Sequence, residues 1–296
     1  WFSYRWSQIF AAGRIPSEEI VLKARPAGSG SPASFVPAPI EEVVRTIRAE
    51  RPELVFAPHV ETAAGMILPD DYLRTLAEAV HAAGGLFVLD CIASGAIWVD
   101  MAALEVDVLI SAPQKGWSGP PCGAFVMLGA LARERIEATT SSSFAADLRK
   151  WLQIMETYEQ GGHAYHATPP TDALAAAVRA MRETRDWGLE RARTAQTELG
   201  RRVRALIEAR GFPSVAAAGF QAPGVVVSYS DDPDIRSGKK FLAQGLQIAA
   251  GVPLMCNEPA EFGSFRIGLF GLDKLQNVER TVQRIEEAQE KIARTV

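Results

Sequence analysis

Asp90 and Lys115 are the residues whose types and placement could do chemistry. Asp90 directly follows the apolar run Leu86-Phe87-Val88-Leu89, and Lys115 follows the run 106–110 inside SAPQKGWSGPPCG. Both leave the C-terminal ends of expected strands, the edge where open α/β sheets bind ligands. The stretch 91–105 is long enough for a crossover between neighbouring parallel strands, so both side chains can face one crevice. Each has a plainer alternative. A strand-end Asp often caps the next turn, and a lone Lys is usually a solvated charge. Together they fit pyridoxal phosphate chemistry. The lysine forms a Schiff base with the cofactor aldehyde, and the carboxylate keeps the pyridine nitrogen protonated so that the ring accepts electrons. Partial desolvation and nearby cations would lower the lysine pKa toward the neutral amine this requires.

The surrounding elements must hold that pair in place. Residues 39–50 read as a helix, and RPELVFAP (51–58) carries a short apolar run. Pro69-Asp70-Asp71 opens a second helix with Leu73, Leu76, Ala77 and Val80 on one face, ended by Gly84-Gly85. Residues 86–89, 106–110 and 124–128 read as buried strands. Continuous apolar runs separated by helices indicate a mostly parallel sheet covered on both faces. The second half reads differently. Residues 171–185 and 189–210 are long helical patterns, the latter closed by Gly211 as the C′ residue. Residues 224–230 and 265–270 read as strands. Leu275, Val278, Val282, Ile285, Ala288 and Ile292 form the stripe of a closing helix. This half reads as a smaller α+β domain, with a boundary near 180–190.

Composition bounds the answer further. The chain has 296 residues, 48% hydrophobic and 22% charged, the balance of an ordinary soluble protein of about two domains. Three scattered cysteines exclude a disulfide scaffold and give no CxxC metal spacing. No apolar run reaches the ~18 residues of a membrane span. A net charge of −4 speaks against a generic nucleic-acid surface. No G-x-G-x-x-G follows a strand and no G-x-x-x-x-G-K-[ST] occurs, which disfavours a nucleotide-binding α/β protein. Residue 1 is Trp, so upstream residues are expected to precede this sequence. The AGSGSPA stretch (27–33) reads as a flexible surface loop.

LFVLDCIASGAIWVD followed by VDVLISAPQKGWSGPP resembles the fold-type I, class V aminotransferases. The likeness is greatest to the alanine/serine–glyoxylate (serine–pyruvate) branch, whose pattern is an aspartate, a serine four residues later and a Ser-x-x-Gln-Lys segment. It implies an α/β fold with a mostly parallel, seven-stranded-type large-domain sheet between helices (1–180) and a smaller C-terminal α+β domain (181–296). It implies Lys115 as the Schiff-base lysine, Asp90 as the pyridinium partner and Gln114 as a phosphate ligand. Thr62, in HVETAAG, is implied near the cofactor's phenolic oxygen, and Phe2, in WFSYR, stacked on the pyridine face. Tyr165 and Thr168, in AYHATPP, match a pair that reaches the neighbouring subunit's cofactor phosphate. Arg266, in FRIGLFG, matches the arginine that clamps the substrate carboxylate, a task suited to a planar guanidinium. The family's Ser/Gly-rich phosphate loop lies upstream of the position matching Phe2, and residues 28–31 stand in the wrong order to replace it.

The function so implied is a pyridoxal-phosphate-dependent transaminase. It moves an amino group from a small alanine- or serine-like amino acid to a 2-oxo acid such as glyoxylate or pyruvate. A homodimer is implied, with no metal, nucleic-acid or membrane partner. Free cysteines and the lack of a visible export signal point to the cytoplasm. 2-Aminoethylphosphonate–pyruvate transamination uses the same machinery and stays open. A lyase of the cysteine desulfurase type would need a mobile nucleophilic cysteine. Neither Cys91 nor Cys256 sits in the Ser/Gly/Ala-rich loop expected of one.

Overall fold

The computed structural model describes residues 1–30 and 32–294; Ser31, within the 27–33 stretch, lies outside them. The apolar segments Leu54–Pro58, Leu86–Asp90 and Val108–Ser111 pair in parallel, side by side in that order. Pro58 stands opposite Asp90, and Asp90 opposite Ile110. Three strands thus end at one edge. Leu86, Phe87, Val88 and Leu89 are all buried, as a strand covered on both faces must be.

The sheet has four strands within the described residues, against the seven-stranded type implied by resemblance. Its fourth strand, Phe125–Leu128, runs antiparallel to Val108–Ser111. A parallel neighbour would need a crossover, usually helical. Residues 112–124 contain no helix. They fold as a loop around Lys115 and the chain turns straight back.

The helix Asp70–Ala82 forms the crossover into the central strand. Asp70 and Asp71 occupy its first turn, where the helix dipole favours negative charge. Leu73, Leu76, Ala77 and Val80 are buried as the predicted stripe. Gly84 closes the helix at φ +83°, a conformation that side chains resist. Buried Asp107 then ties helix to sheet. Its Oδ2 accepts from the Phe87 amide at 2.7 Å and faces His81 Nε2 at 2.8 Å.

The second half is built on a three-stranded antiparallel sheet in the order Ala249–Ala250, Ser264–Gly268, Val225–Tyr229. Helices Leu189–Ala209 and Val278–Ala293 cover one face. The first of these ends where Gly211 adopts φ +86°, the expected C′ conformation. The helix Thr171–Trp187 runs two residues beyond its predicted end, and residue 180 lies inside it. Side chains alternate across a strand. Phe265, Ile267 and Val226 therefore pack under the two helices. Val225 and Val227 face the other way, against Val60, Ala63 and Met66 of the first half. Arg266 pairs with Val227 and shares its face. No helix among the described residues is long and apolar enough to cross a membrane.

Phe265 anchors the strand that carries Arg266. It is fully buried, with Phe212 edge-on at 5.4 Å and Phe241 at 5.6 Å between ring centroids. Phe265→Ala is expected to cost about 3–5 kcal/mol, read as a lower urea midpoint at an unchanged slope.

Candidate active site

The edge formed by Pro58, Asp90 and Ser111 opens into three loops, and this edge with its loops carries four of the eight predicted residues, Thr62, Asp90, Gln114 and Lys115. Asp90 ends the central strand. Its backbone carbonyl accepts from the His59 amide at 2.9 Å, and its Oδ1 accepts from the Ile92 amide at 3.0 Å. Burial pushes its carboxyl above the ordinary carboxylate value. The Ile92 amide opposes that rise, the charge of Glu61 adds to it, and a hydrogen bond from the Trp6 side chain opposes it again.

Lys115 sits in the turn after Val108–Ser111, half-buried. What holds this loop is a close approach of two backbones. A Cβ on Gly116 would lie 2.5 Å from the Gly95 carbonyl oxygen, so only glycine lets the lysine loop rest on the loop that follows Asp90. The Lys115 Nζ stands 6.0 Å from the centroid of the Phe270 ring. Burial, and then the Arg266 guanidinium, push its ammonium below the ordinary lysine value.

Arg266 reaches the same place from the second half. Its Nε donates to the Ala250 carbonyl at 2.8 Å, and its guanidinium carbon lies 5.1 Å from the centroid of Phe2. The Phe2 ring is thus packed against a cation on one side. Thr62 is only 9% exposed, and its hydroxyl makes no hydrogen bond among the described residues.

Three predicted residues stand apart. Gln114 is exposed, and its side chain has no hydrogen-bond partner among the described residues. Tyr165 is 70% exposed, and its hydroxyl lies 3.3 Å from Thr168 Oγ1. Neither member of that pair hydrogen-bonds Asp90, Lys115 or Arg266.

Sequence reasoning missed two neighbours, Trp6 and Glu61. Trp6, which touches Asp90, carried no motif. Glu61 precedes Thr62 in HVETAAG and accepts four hydrogen bonds, from Phe2 N, Ser3 N, Ser3 Oγ and Ala63 N. A carboxylate inside a buried loop was the available signal. His59 and Ser94 form a buried pair at 2.7 Å behind Asp90. Burial holds the imidazole pKa down to about 4, against a smaller pull from Asp70, so the ring is neutral.

The sequence matches the Aminotransferase class-V family over residues 37–281. The chain belongs to that family. A curated relative from Burkholderia lata, named 2-aminoethylphosphonate–pyruvate transaminase 1, is 28% identical over 285 residues, which is 95% of this chain and 72% of the relative. A 2-aminoethylphosphonate–pyruvate transaminase from Syntrophobacter fumaroxidans is 31% identical over 78% of this chain and 60% of its own length. Among solved structures, an alanine–glyoxylate aminotransferase from Nostoc sp. superposes with TM-score 0.73 at 19% identity. It covers 86% of this chain and 65% of that one. A ureidoglycine–glyoxylate aminotransferase from Bacillus subtilis gives 0.70 at 22%, over 86% and 63%. The chain therefore spans about 60–72% of the length of these proteins. The two superpositions establish the fold-type I architecture.

The cofactor of class-V aminotransferases is pyridoxal phosphate, and the donor set here suits it. Asp90, Lys115 and Arg266 form no ion pair among the described residues, and the Thr62 hydroxyl is unpaired. A half-buried carboxylate, an amine and a guanidinium left without ion-pair partners match a ring nitrogen, an aldehyde and an anionic substrate. Arg266→Ala removes a cation that disfavours the Lys115 ammonium. The Lys115 pKa is therefore expected to rise. The pH dependence of Lys115 acylation, read by mass spectrometry on cofactor-stripped protein, checks this; an unchanged profile would contradict the coupling.

Proposed function

We propose that the protein is a pyridoxal-phosphate-dependent transaminase that uses Lys115 as its proton carrier and Arg266 as its substrate clamp. The carrying observation is that Asp90 and Lys115, at the end of the parallel sheet, and Arg266, on the strand Ser264–Gly268 of the second sheet, have no ion-pair partner among the described residues while Arg266 acts on the Lys115 ammonium. When bound, pyridoxal phosphate supplies the electron sink for charge left at the substrate's α-carbon. Asp90 offers a carboxylate to a protonated ring nitrogen. The Thr62 hydroxyl would serve the phenolic oxygen, and the Phe2 ring would stack on the pyridine. Lys115 Nζ, biased toward the neutral amine by burial and by Arg266, removes the α-proton of the donor and acts in turn as general acid. Arg266 grips the donor's anionic end with charge-assisted hydrogen bonds.

In this division of labour, residues 1–180 hold the cofactor and residues 181–296 supply the clamp. Gln114 is assigned to the cofactor phosphate. Tyr165 and Thr168 are assigned to the phosphate of a second copy in a homodimer. Their exposure, and the absence of a hydrogen bond from either to Asp90, Lys115 or Arg266 among the described residues, support that reading. A cytoplasmic setting suits the free thiols of Cys91, Cys122 and Cys256.

Two donor classes are in contention. The resemblance favours alanine or serine with glyoxylate or pyruvate as acceptor. The names of the curated relatives favour 2-aminoethylphosphonate with pyruvate. A guanidinium binds carboxylate and phosphonate alike, so the donor screen decides between them. A cysteine lyase is disfavoured by its chemistry. Burial pushes the Cys91 thiol up to about 12 and the Cys256 thiol up to about 11, away from the reactive thiolate.

Lys115→Ala is expected to abolish turnover together with the borohydride-stable cofactor adduct mapped to that position. Normal turnover of the variant would overturn the assignment. In the same assay, wild-type protein given alanine, serine or 2-aminoethylphosphonate with each 2-oxo acid should favour one donor class by more than about tenfold in kcat/KM. No transfer from any of them overturns the transaminase reading.

A further inference from the structure

We propose that Glu61 is a positioning residue that sets the substrate-binding guanidinium of Arg266 by fixing Phe2 beneath it. The proposal rests on the transaminase reading for the identity of the clamp, and on geometry alone for the role of Glu61.

The helix Tyr4–Gly13 starts without a side-chain cap of its own; Ser3, at the cap position, makes no capping hydrogen bond to the helix. Helix N-termini present unpaired amides and a positive dipole end. Here the cap comes from another segment. Glu61 Oε2 accepts from the Ser3 amide at 2.9 Å and from the Ser3 hydroxyl. Its Oε1 accepts from the Phe2 amide at 3.4 Å and from the Ala63 amide at 2.9 Å. One carboxylate thereby staples the loop that carries Thr62 to the segment that carries Phe2.

Two consequences reach Arg266. First, Phe2 is held at its own backbone, so its ring keeps a fixed face toward the guanidinium, 5.1 Å away. The bond from Nε to the Ala250 carbonyl fixes a second side. The terminal nitrogens of the guanidinium are then left for a ligand. Second, an ionised carboxylate has about four lone-pair sites, and four donors occupy them. Glu61 Oε2 also lies 3.8 Å from the Trp1 ammonium, and Glu61 makes no ion pair with Arg266 among the described residues, although its charge acts on the guanidinium. It organises the clamp without occupying it.

The test uses the full-length holoenzyme. Propionate, a monocarboxylate without an amino group, is titrated by calorimetry, and donor kcat and KM are measured beside it. Glu61→Ala is expected to raise the propionate Kd and the donor KM about tenfold, with kcat within about twofold. Glu61→Gln, which keeps one acceptor oxygen, should fall between that variant and wild type. Phe2→Leu should raise the propionate Kd similarly, and adding Glu61→Ala to it should add little, because both act through one ring. A propionate Kd unchanged in Glu61→Ala overturns the proposal, and so do additive effects of the two substitutions. If Glu61→Ala does not fold, Glu61→Gln and Phe2→Leu carry the same comparison. Absence of transamination in wild type would overturn the activity reading alone, since propionate binding reads the clamp separately.

Discussion

Asp90, Pro58 and Ser111 come to one edge because their strands pair in parallel in a single register. An antiparallel order of the same strands would send neighbouring loops to opposite ends. Parallel pairing obliges the chain to return by a crossover each time, so every strand end opens toward the same crevice. The sequence meets that obligation with an amphipathic helix before the central strand, and a buried aspartate, Asp107, locks helix to sheet. Where the obligation lapses, after Ser111, the chain is free to make a long loop, and Lys115 sits in it.

The crevice is electrostatically unfinished. Half-buried charges ordinarily find partners, because desolvating an ion without one is unfavourable. Here a carboxylate is driven toward its neutral form by burial, and an ammonium is driven toward its neutral form by burial and a neighbouring guanidinium. The scaffold tolerates this because each group hangs from a firmly packed element. Asp90 ends a strand buried on both faces, Lys115 rides a glycine-on-glycine backbone contact, and Arg266 is pinned by the Phe265 anchor beside it. Titratable groups perturbed by burial and by a neighbouring charge, collected in one cleft, mark a candidate functional site. Glu61, beside the same cleft, is taken up by three amides and the Ser3 hydroxyl.

Much of this was legible in the chain itself. The buried-strand runs ending at Asp90 and near Ser111, the stripe from Leu73 to Val80 and the closing stripe from Leu275 to Ile292 are local patterns, fixed by residue spacing. So was the placement of Asp90 and a glycine-framed lysine after the ends of two apolar runs, which the structure shows to be neighbouring parallel strands. The direction of Phe125–Leu128 was not legible, because an apolar run reads the same in either direction and the loop before it decides. The role of Trp6 was invisible, since its contact with Asp90 joins residues far apart in sequence.

Sequence alone determined the elements and the chemical types at their ends, because helix and strand periodicity and strand termination act within a few residues. Only the tertiary structure decided which of those ends meet. Arg266 faces Phe2 and Lys115 because strand alternation turns it away from Phe265 and Ile267, whose burial under two helices selects the face. Glu61 acquires its four donors only when the 60–66 loop meets the N-terminal helix. Contacts between distant segments are set by the packing of whole surfaces, and no spacing along the chain encodes them.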